Sequence, residues 1–520
     1  MTRLSPRGAL LAAVVVAALT ACKKNKPAPV ARAQAEPPEE QPAKPAKKRT
    51  PRPLWLVVTR PMFVKALQPL ADHRYDGCLD VKISTEAPGA AIKVAGRRPA
   101  YILLVGDEVR GAGQQPWRVA SPRRRLYRWR SVQRQTFAAD ALWGDLDGDL
   151  VPDVPVGRLP VRTTAALGRL IKKVLAREAR RPGLADLRVL IWTGSPGYNA
   201  MVDTFTTNLL LQATRRHGPA WASYWAISAD PAHALCGWPP HHARLFNREL
   251  KRGGALAVLM GHASVESFHS LRFRGKSIDY SASDARADLA SGEPAPPMVL
   301  FSCSSGDFTG SGRCLAESLL RLAGGPVAVV AATTESHPLT NYFSGKNTLQ
   351  ALKGRHRRLG DLWLSAQRAA MADSSILMER MLANVEGSLE PEINTGKLRR
   401  DQALMYALLG DPATTIRLPE PLTARLEATA DAWRWSAKRP PGATKLHVSF
   451  RPAGLEVPKA DGLKDAKRAT ALFRKANATI AFPHAPASNT WQGTIPRTPG
   501  TLRLATTSTT KLHTTTLLVK

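Results

Sequence analysis

The chain has 520 residues, 44% of them hydrophobic, enough to bury at least one large core and in the range for two or three domains. Five cysteines are too few for a disulfide-built scaffold, so the fold must rest on packing. The formal net charge is +33, but it is scattered along the chain with no zinc-finger, basic-zipper or RNP pattern, so no specific nucleic-acid partner is expected.

Residues 1–22 read as an export signal: Arg3 and Arg7 are basic, and Ala9 to Ala18 is an apolar run too short to span a bilayer comfortably. The run ends in Leu19, Thr20, Ala21 and Cys22, which resembles the lipobox of bacterial lipoproteins. That resemblance implies lipidation at Cys22 and a chain anchored in the cell envelope, at the outer membrane or cell surface. In that setting the positive charge suits anionic envelope polymers or lipid headgroups, or simply forms a solvated arginine-rich surface. Residues 23–53 are rich in Pro, Ala, Lys and Glu and read as a disordered tether.

From Leu54 the chain alternates short apolar runs with amphipathic ones. Leu54 to Val58, Leu79 to Ser84 and Tyr101 to Val105 read as strands, and Pro61 to His73 as a helix with proline in its first turn. Arg162 to Arg180 is the longest clear helix, with Leu167, Leu170, Ile171 and Val174 on one face. A strand from Arg188 to Trp192 and a helix from Met201 to Arg215 follow. Ala255 to Met260, Met298 to Ser302 and Val327 to Ala332 are three more apolar strands. Strands separated by helices imply an α/β fold with a mostly parallel sheet covered on both faces. Beyond Pro419 the composition shifts to Thr, Pro and Lys, with alternating runs at Lys445 to Phe450 and Leu502 to Thr507. This predicts a small all-β sandwich over residues 419–520.

Two strands end in reactive residues. Ala255 to Met260 leads into Gly261 and His262, and Met298 to Ser302 into Cys303, Ser304, Ser305 and Gly306. In an open parallel sheet ligands bind at the carboxyl ends of strands, so adjacent strands would bring His262 and Cys303 together. A thiol needs such a neighbour, because the thiolate is the nucleophile and an imidazole can take its proton and later protonate a leaving amine. The developing oxyanion needs fixed donors, for which Gly261, the Cys303 N–H and the Ser304 to Gly306 turn are candidates.

In this order and spacing the two segments resemble the gingipain family of cysteine peptidases, in the caspase-like clan. Asp307, Phe308, Cys314 to Arg321 and Gly325 to Thr333 look like the stretch after that family's nucleophile. Tyr101 to Asp107, Asp153 to Arg158 and Leu408 to Ala413 look like its other landmarks, so the similarity spans residues 54–418. The resemblance implies a caspase-like sheet sandwiched by helices, followed by an immunoglobulin-like module. It also implies an endopeptidase working through a Cys303 thioester with His262 as general acid and base, needing no cofactor for catalysis. By position, Asp153 would orient the histidine, although Pro152 and Asp153 also read as a turn. Gingipains cleave after basic residues because an acidic group lies in the primary pocket, which makes Glu335 the candidate here. Ala263 stands where the family has glycine.

Asp145, Asp147 and Asp149 alternate around Gly148 like the first half of a calcium loop, without the glutamate that completes an EF-hand. A structural calcium and a solvated acidic turn are both readings of this string, and one carboxylate of Asp153 cannot serve both histidine and metal. His241, His242, Cys78, Cys236 and Cys314 lack metal-site spacing. Cys314 reads as core, and Cys78 with Cys236 could form one disulfide. Two rival functions fit the same residues: a sortase-like transpeptidase that resolves the acyl-enzyme with an amine, and a non-catalytic lipoprotein that binds anionic polymers.

Overall fold

Ten short strands form one sheet: β1 (Leu54–Val58), β2 (Asp80–Ser84), β3 (Tyr101–Val105), β4 (Val156–Leu159), β5 (Arg188–Thr193), β6 (Ser223–Ser228), β7 (Leu256–Met260), β8 (Met298–Phe301), β9 (Val329–Ala332) and β10 (Tyr406–Leu409). Their order is β2-β1-β3-β4-β10-β9-β8-β7-β5-β6. Neighbours run parallel within β2 to β4 and from β9 to β6, while β10 is antiparallel to β9 and meets β4 through the single pair Leu409 and Arg158. The structure, a computed structural model, describes residues 51–520 apart from 128–134, 196–210, 215, 376–393, 461–462 and 484–485. The expected leader with Cys22, and most of the helix expected from Met201, lie outside the described residues.

Alternate residues of the central strands enter different cores, which is why those strands read as unbroken apolar runs. Ala257, Leu259, Met298 and Leu300 face the helices Val64–Asp76, Thr164–Ala179, His242–Lys251 and Leu315–Arg321. Leu256, Val258, Val299 and Phe301 face the opposite layer, built with the helix Leu359–Ala372. Thr163 caps the helix Thr164–Ala179 by accepting from the Ala166 N–H, and Leu167, Leu170, Ile171 and Val174 are its buried stripe. Cys314 is core, as expected.

Where the sheet changes direction, the buried Arg74 guanidinium binds both Glu178 and Asp411, and Asp411 also accepts from the Trp55 indole at 3.1 Å. Burial alone would raise the Glu178 carboxyl. The hydrogen bond from His73, the charge of Arg74 and the Thr415 N–H outweigh it and hold the group well below the usual carboxylate range. Asp411 therefore explains its own landmark segment: it ties β10's exit to the start of β1.

After Pro419 a five-stranded and a three-stranded sheet enclose Leu422, Trp435, Leu446, Ile495, Leu502 and Leu504. This tail also carries a helix, Ala466–Ile480, that the alternating pattern did not announce. Its Phe473 packs edge-on against Trp225 of β6. The Asn477 amide pairs with the backbone of Ala226 in both senses, accepting from N–H at 2.8 Å and donating to C=O at 3.1 Å. Strand β6 is the last in the sheet, so Asn477 serves as the partner strand that β6 lacks.

Replacing Asn477 with Ala leaves two buried backbone groups without partners, and each orphan typically costs about 1–3 kcal/mol. Urea unfolding of Asn477→Ala should show a loss of about 2 kcal/mol or more; a loss below about 0.5 kcal/mol would mean that water reaches this edge.

Candidate active site

Strands β7 and β8 are neighbours, with Leu259 opposite Leu300 and Met260 opposite Phe301. The ladder continues one step further, because the Gly261 N–H donates to the Phe301 carbonyl at 3.2 Å. His262 and Cys303 therefore both leave the sheet two residues past the last register pair, on parallel strands whose spacing is about 4.8 Å. Gly261 must be glycine: a Cβ there would stand 2.8 Å from the Gly194 Cα at the end of β5. His262 is exposed and Cys303 half-buried, so the pair opens to solvent on the imidazole side.

A tight elbow holds the thiol. Ser304 has φ of 50°, a left-handed conformation costly for a residue with a side chain, and the surroundings enforce it. Its N–H donates to the Thr334 carbonyl at 2.8 Å, and the Gly306 N–H to Ala332 at 2.8 Å. A Cβ at Gly306 would meet the Ala331 carbonyl at 2.7 Å, so only glycine lets the loop lie this close to β9.

These bonds correct the expected donors. The N–H groups of Gly261, Ser304 and Gly306 are consumed by the ladder and by β9's continuation. Those of Ala263 and Cys303 donate to nothing among the described residues. Ala263 is opposite Phe268 in a non-hydrogen-bonded pair, flanked by His269 donating to His262 and Ser264 to Ser267. Its φ is not positive, so alanine replaces the family's glycine there without strain.

The hairpin that follows His262, Ser267–Phe273 with Lys276–Ser281, is anchored by His242. The His242 ring sits between the Ser270 hydroxyl at 2.9 Å and the Cys236 carbonyl at 2.5 Å, and burial pushes its pKa down to about 4. It is a structural neutral imidazole. On the other side of the elbow, Cys303 Sγ lies 3.5 Å from the Ser336 carbonyl and 3.8 Å from the Ser336 hydroxyl. Sequence reasoning missed Ser336, since nothing local in a segment 33 residues away marks it as touching the sulfur.

Asp153 is held by groups other than His262. It precedes β4, at the end of β3 and β4 where those strands begin. There its carboxylate binds Arg98 at 3.1 Å, Arg368 at 3.2 Å and the Leu146 N–H at 3.1 Å. Through the Leu146 N–H, Asp153 closes the acidic loop onto the strand. Carboxylate oxygens of Asp145, Asp147 and Asp149 come within 4.8 Å of one another, and they accept from the N–H groups of Gly148 and Leu150, of Asp149, and of Val151. Glu335 is exposed, between Thr334, which holds the elbow, and Ser336, which touches the sulfur. Cys78 is half-buried and Cys236 buried, and no disulfide joins them. Among the described residues no helix is long and apolar enough to cross a membrane.

The model of peptidase family C25 matches residues 49–417. Among solved structures, one titled as a protease matches at TM-score 0.52 with 17% identity, covering 90% of this chain and 97% of the other. The Arg-specific cysteine proteinase gingipain R matches at TM-score 0.51 with 14% identity, covering 92% and 100%. The complex of Porphyromonas gingivalis RgpB pro- and mature domains matches at 0.50 with 14% identity, covering 90% and 100%. No curated protein matches by sequence.

Asp153→Asn separates the two readings of that residue. Peptide cleavage should stay within about threefold of wild type while the thermal midpoint falls; a loss near the ~10⁴-fold typical of a removed triad carboxylate would restore the catalytic assignment.

Proposed function

The chain belongs to peptidase family C25 and is a cysteine-type peptidase, and from that premise we propose that Cys303 and His262 are its reacting pair. The observation that carries this is the register of β7 and β8, which brings both residues out of the sheet side by side. The Cys303 thiol gives its proton to His262, and the sulfur attacks the scissile carbonyl carbon. The N–H groups of Cys303 and Ala263, uncommitted among the described residues, receive the oxyanion. His262 then protonates the departing amine, leaving a thioester that water hydrolyses with the imidazole now acting as base.

A basic residue before the scissile bond suits Glu335, an exposed carboxylate one residue from the group that touches the sulfur. A panel of fluorogenic peptides tests this. The wild type should prefer Arg or Lys at that position, Glu335→Gln should lower kcat/KM for those substrates by about tenfold, and Cys303→Ala should cleave nothing. Equal rates across the panel would remove Glu335 from the pocket. Products carrying an added amine in place of water would favour the transpeptidase.

Two further readings concern setting rather than chemistry. The apolar run before Cys22 supports a lipid anchor at that residue, with residues 23–53 as tether and the net charge of +33 drawing the domain to anionic envelope polymers. The intact mass of protein recovered from membranes should show acyl chains at Cys22. The converging carboxylates of Asp145, Asp147 and Asp149 are hard oxygen donors that fit a calcium ion. Calcium should raise the thermal midpoint over a chelator control by about 3 °C or more, and identical midpoints would leave the loop an acidic turn closed by its own backbone.

A further inference from the structure

A chain of buried polar side chains stands behind Cys303, and the reaction described above does not use it. Ser336, Asn341, Gln402 and Tyr406 are each more than nine-tenths buried. Buried polar groups on this scale are costly unless their hydrogen bonds are satisfied, and here the bonds have a direction. Thr340 donates its hydroxyl to Gln402 Oε1 at 2.8 Å, which fixes the Gln402 amide with Nε2 toward Asn341. Asn341 Oδ1 then accepts twice, from Gln402 Nε2 at 2.8 Å and from the Tyr406 hydroxyl at 2.7 Å. With its oxygen so occupied, Asn341 must present Nδ2 to the Ser336 hydroxyl oxygen, at 2.8 Å. Burial holds the Tyr406 phenol far above its ordinary range, so it remains a donor throughout.

A hydroxyl that accepts from an amide turns its own hydrogen elsewhere, and two acceptors face it: the Tyr406 phenol oxygen, and Cys303 Sγ 3.8 Å away, which becomes the stronger acceptor as a thiolate. The neutral thiol has a different partner on the same residue, the Ser336 carbonyl at 3.5 Å, to which S–H can donate. Once the proton moves to His262, that carbonyl faces a thiolate and repels it, and the sulfur needs a donor instead. We propose that Ser336 is a catalytic residue whose hydroxyl donates a hydrogen bond to the Cys303 thiolate, with Asn341 as the positioning residue that sets the direction of the bond. One side chain and its own backbone thus serve both protonation states: the carbonyl accepts from the thiol, the hydroxyl donates to the thiolate. The titratable groups around the sulfur are His262 beyond β7, Glu335 and His337 on either side of Ser336, Tyr406 at the start of β10 and Asp307 in the elbow loop. This inference rests on Cys303 being the nucleophile.

The test is the rate of Cys303 alkylation by iodoacetamide in the full chain from pH 5 to 9, followed by peptide mapping. Ser336→Ala should move the midpoint of the profile up by about 0.5–1 pH unit, slowing the reaction at pH 6 by about 3–10-fold while the alkaline plateau stays within about twofold. Ser336→Thr keeps the hydroxyl and should keep the wild-type profile. Tyr406→Phe removes one of the two donors that orient Asn341, and should move the midpoint the same way by less. Superimposable profiles for wild type and Ser336→Ala would overturn the proposal. So would a plateau lowered at every pH with the midpoint unmoved, since that reports only a structural role. If Ser336→Ala does not fold, an unmoved midpoint in Tyr406→Phe overturns it. Wild-type Cys303 reacting no faster than Cys78 would be a separate failure, that of the nucleophile assignment itself.

Discussion

Everything at the site depends on one constraint, the pairing of two parallel strands that are buried on both faces. A strand covered on only one side could slip by a residue at the cost of exposing that face. Here β7 and β8 place alternate residues in two different cores, so a slip would misplace every side chain at once. The pairing of Met260 with Phe301 thereby sets where His262 and Cys303 emerge, with no direct bond between them required. Precision at the reacting atoms is borrowed from packing several residues away.

The second strand to matter is β9, whose continuation works on both sides of the sulfur. Ala332 and Thr334 accept from the elbow and hold Ser304 in its left-handed turn, and two residues later Ser336 lies against Cys303 Sγ. The strain at Ser304 is small beside the burial that fixes β8 and β9, so it persists. Gly261 and Gly306 complete the arrangement by letting two backbones approach where a methyl group would not fit.

Sequence reading reached most of the strands, the mostly parallel sheet, the long helix and the neighbouring strand ends that carry His262 and Cys303, because each of these is a local pattern: an apolar run, an amphipathic stripe, a reactive residue at a strand end; it passed over β6. It failed where the answer is tertiary. Strand β10 follows the helix Thr395–Met405 with no turn residue between Met405 and Tyr406, so no boundary is visible. Asp153 looked like a catalytic carboxylate from its position alone, but arginines from two other segments claim it. Gly261 looked like an oxyanion donor, and only the ladder shows its N–H already spent. The helix Ala466–Ile480 was hidden by the β-like composition around it, although its Asn477 does the work of a strand for β6.

Cys303 and His262 are proposed to act as one reacting unit. That is tested most directly by exposing the intact chain to a peptidyl acyloxymethyl ketone and mapping the adduct by mass spectrometry, with His262→Ala beside the wild type. A single adduct on Cys303 should form quickly in the wild type and at least about 100-fold more slowly in the variant, the scale of a lost general acid and base. An adduct on another cysteine, or equal rates at Cys303 in both proteins, would contradict it.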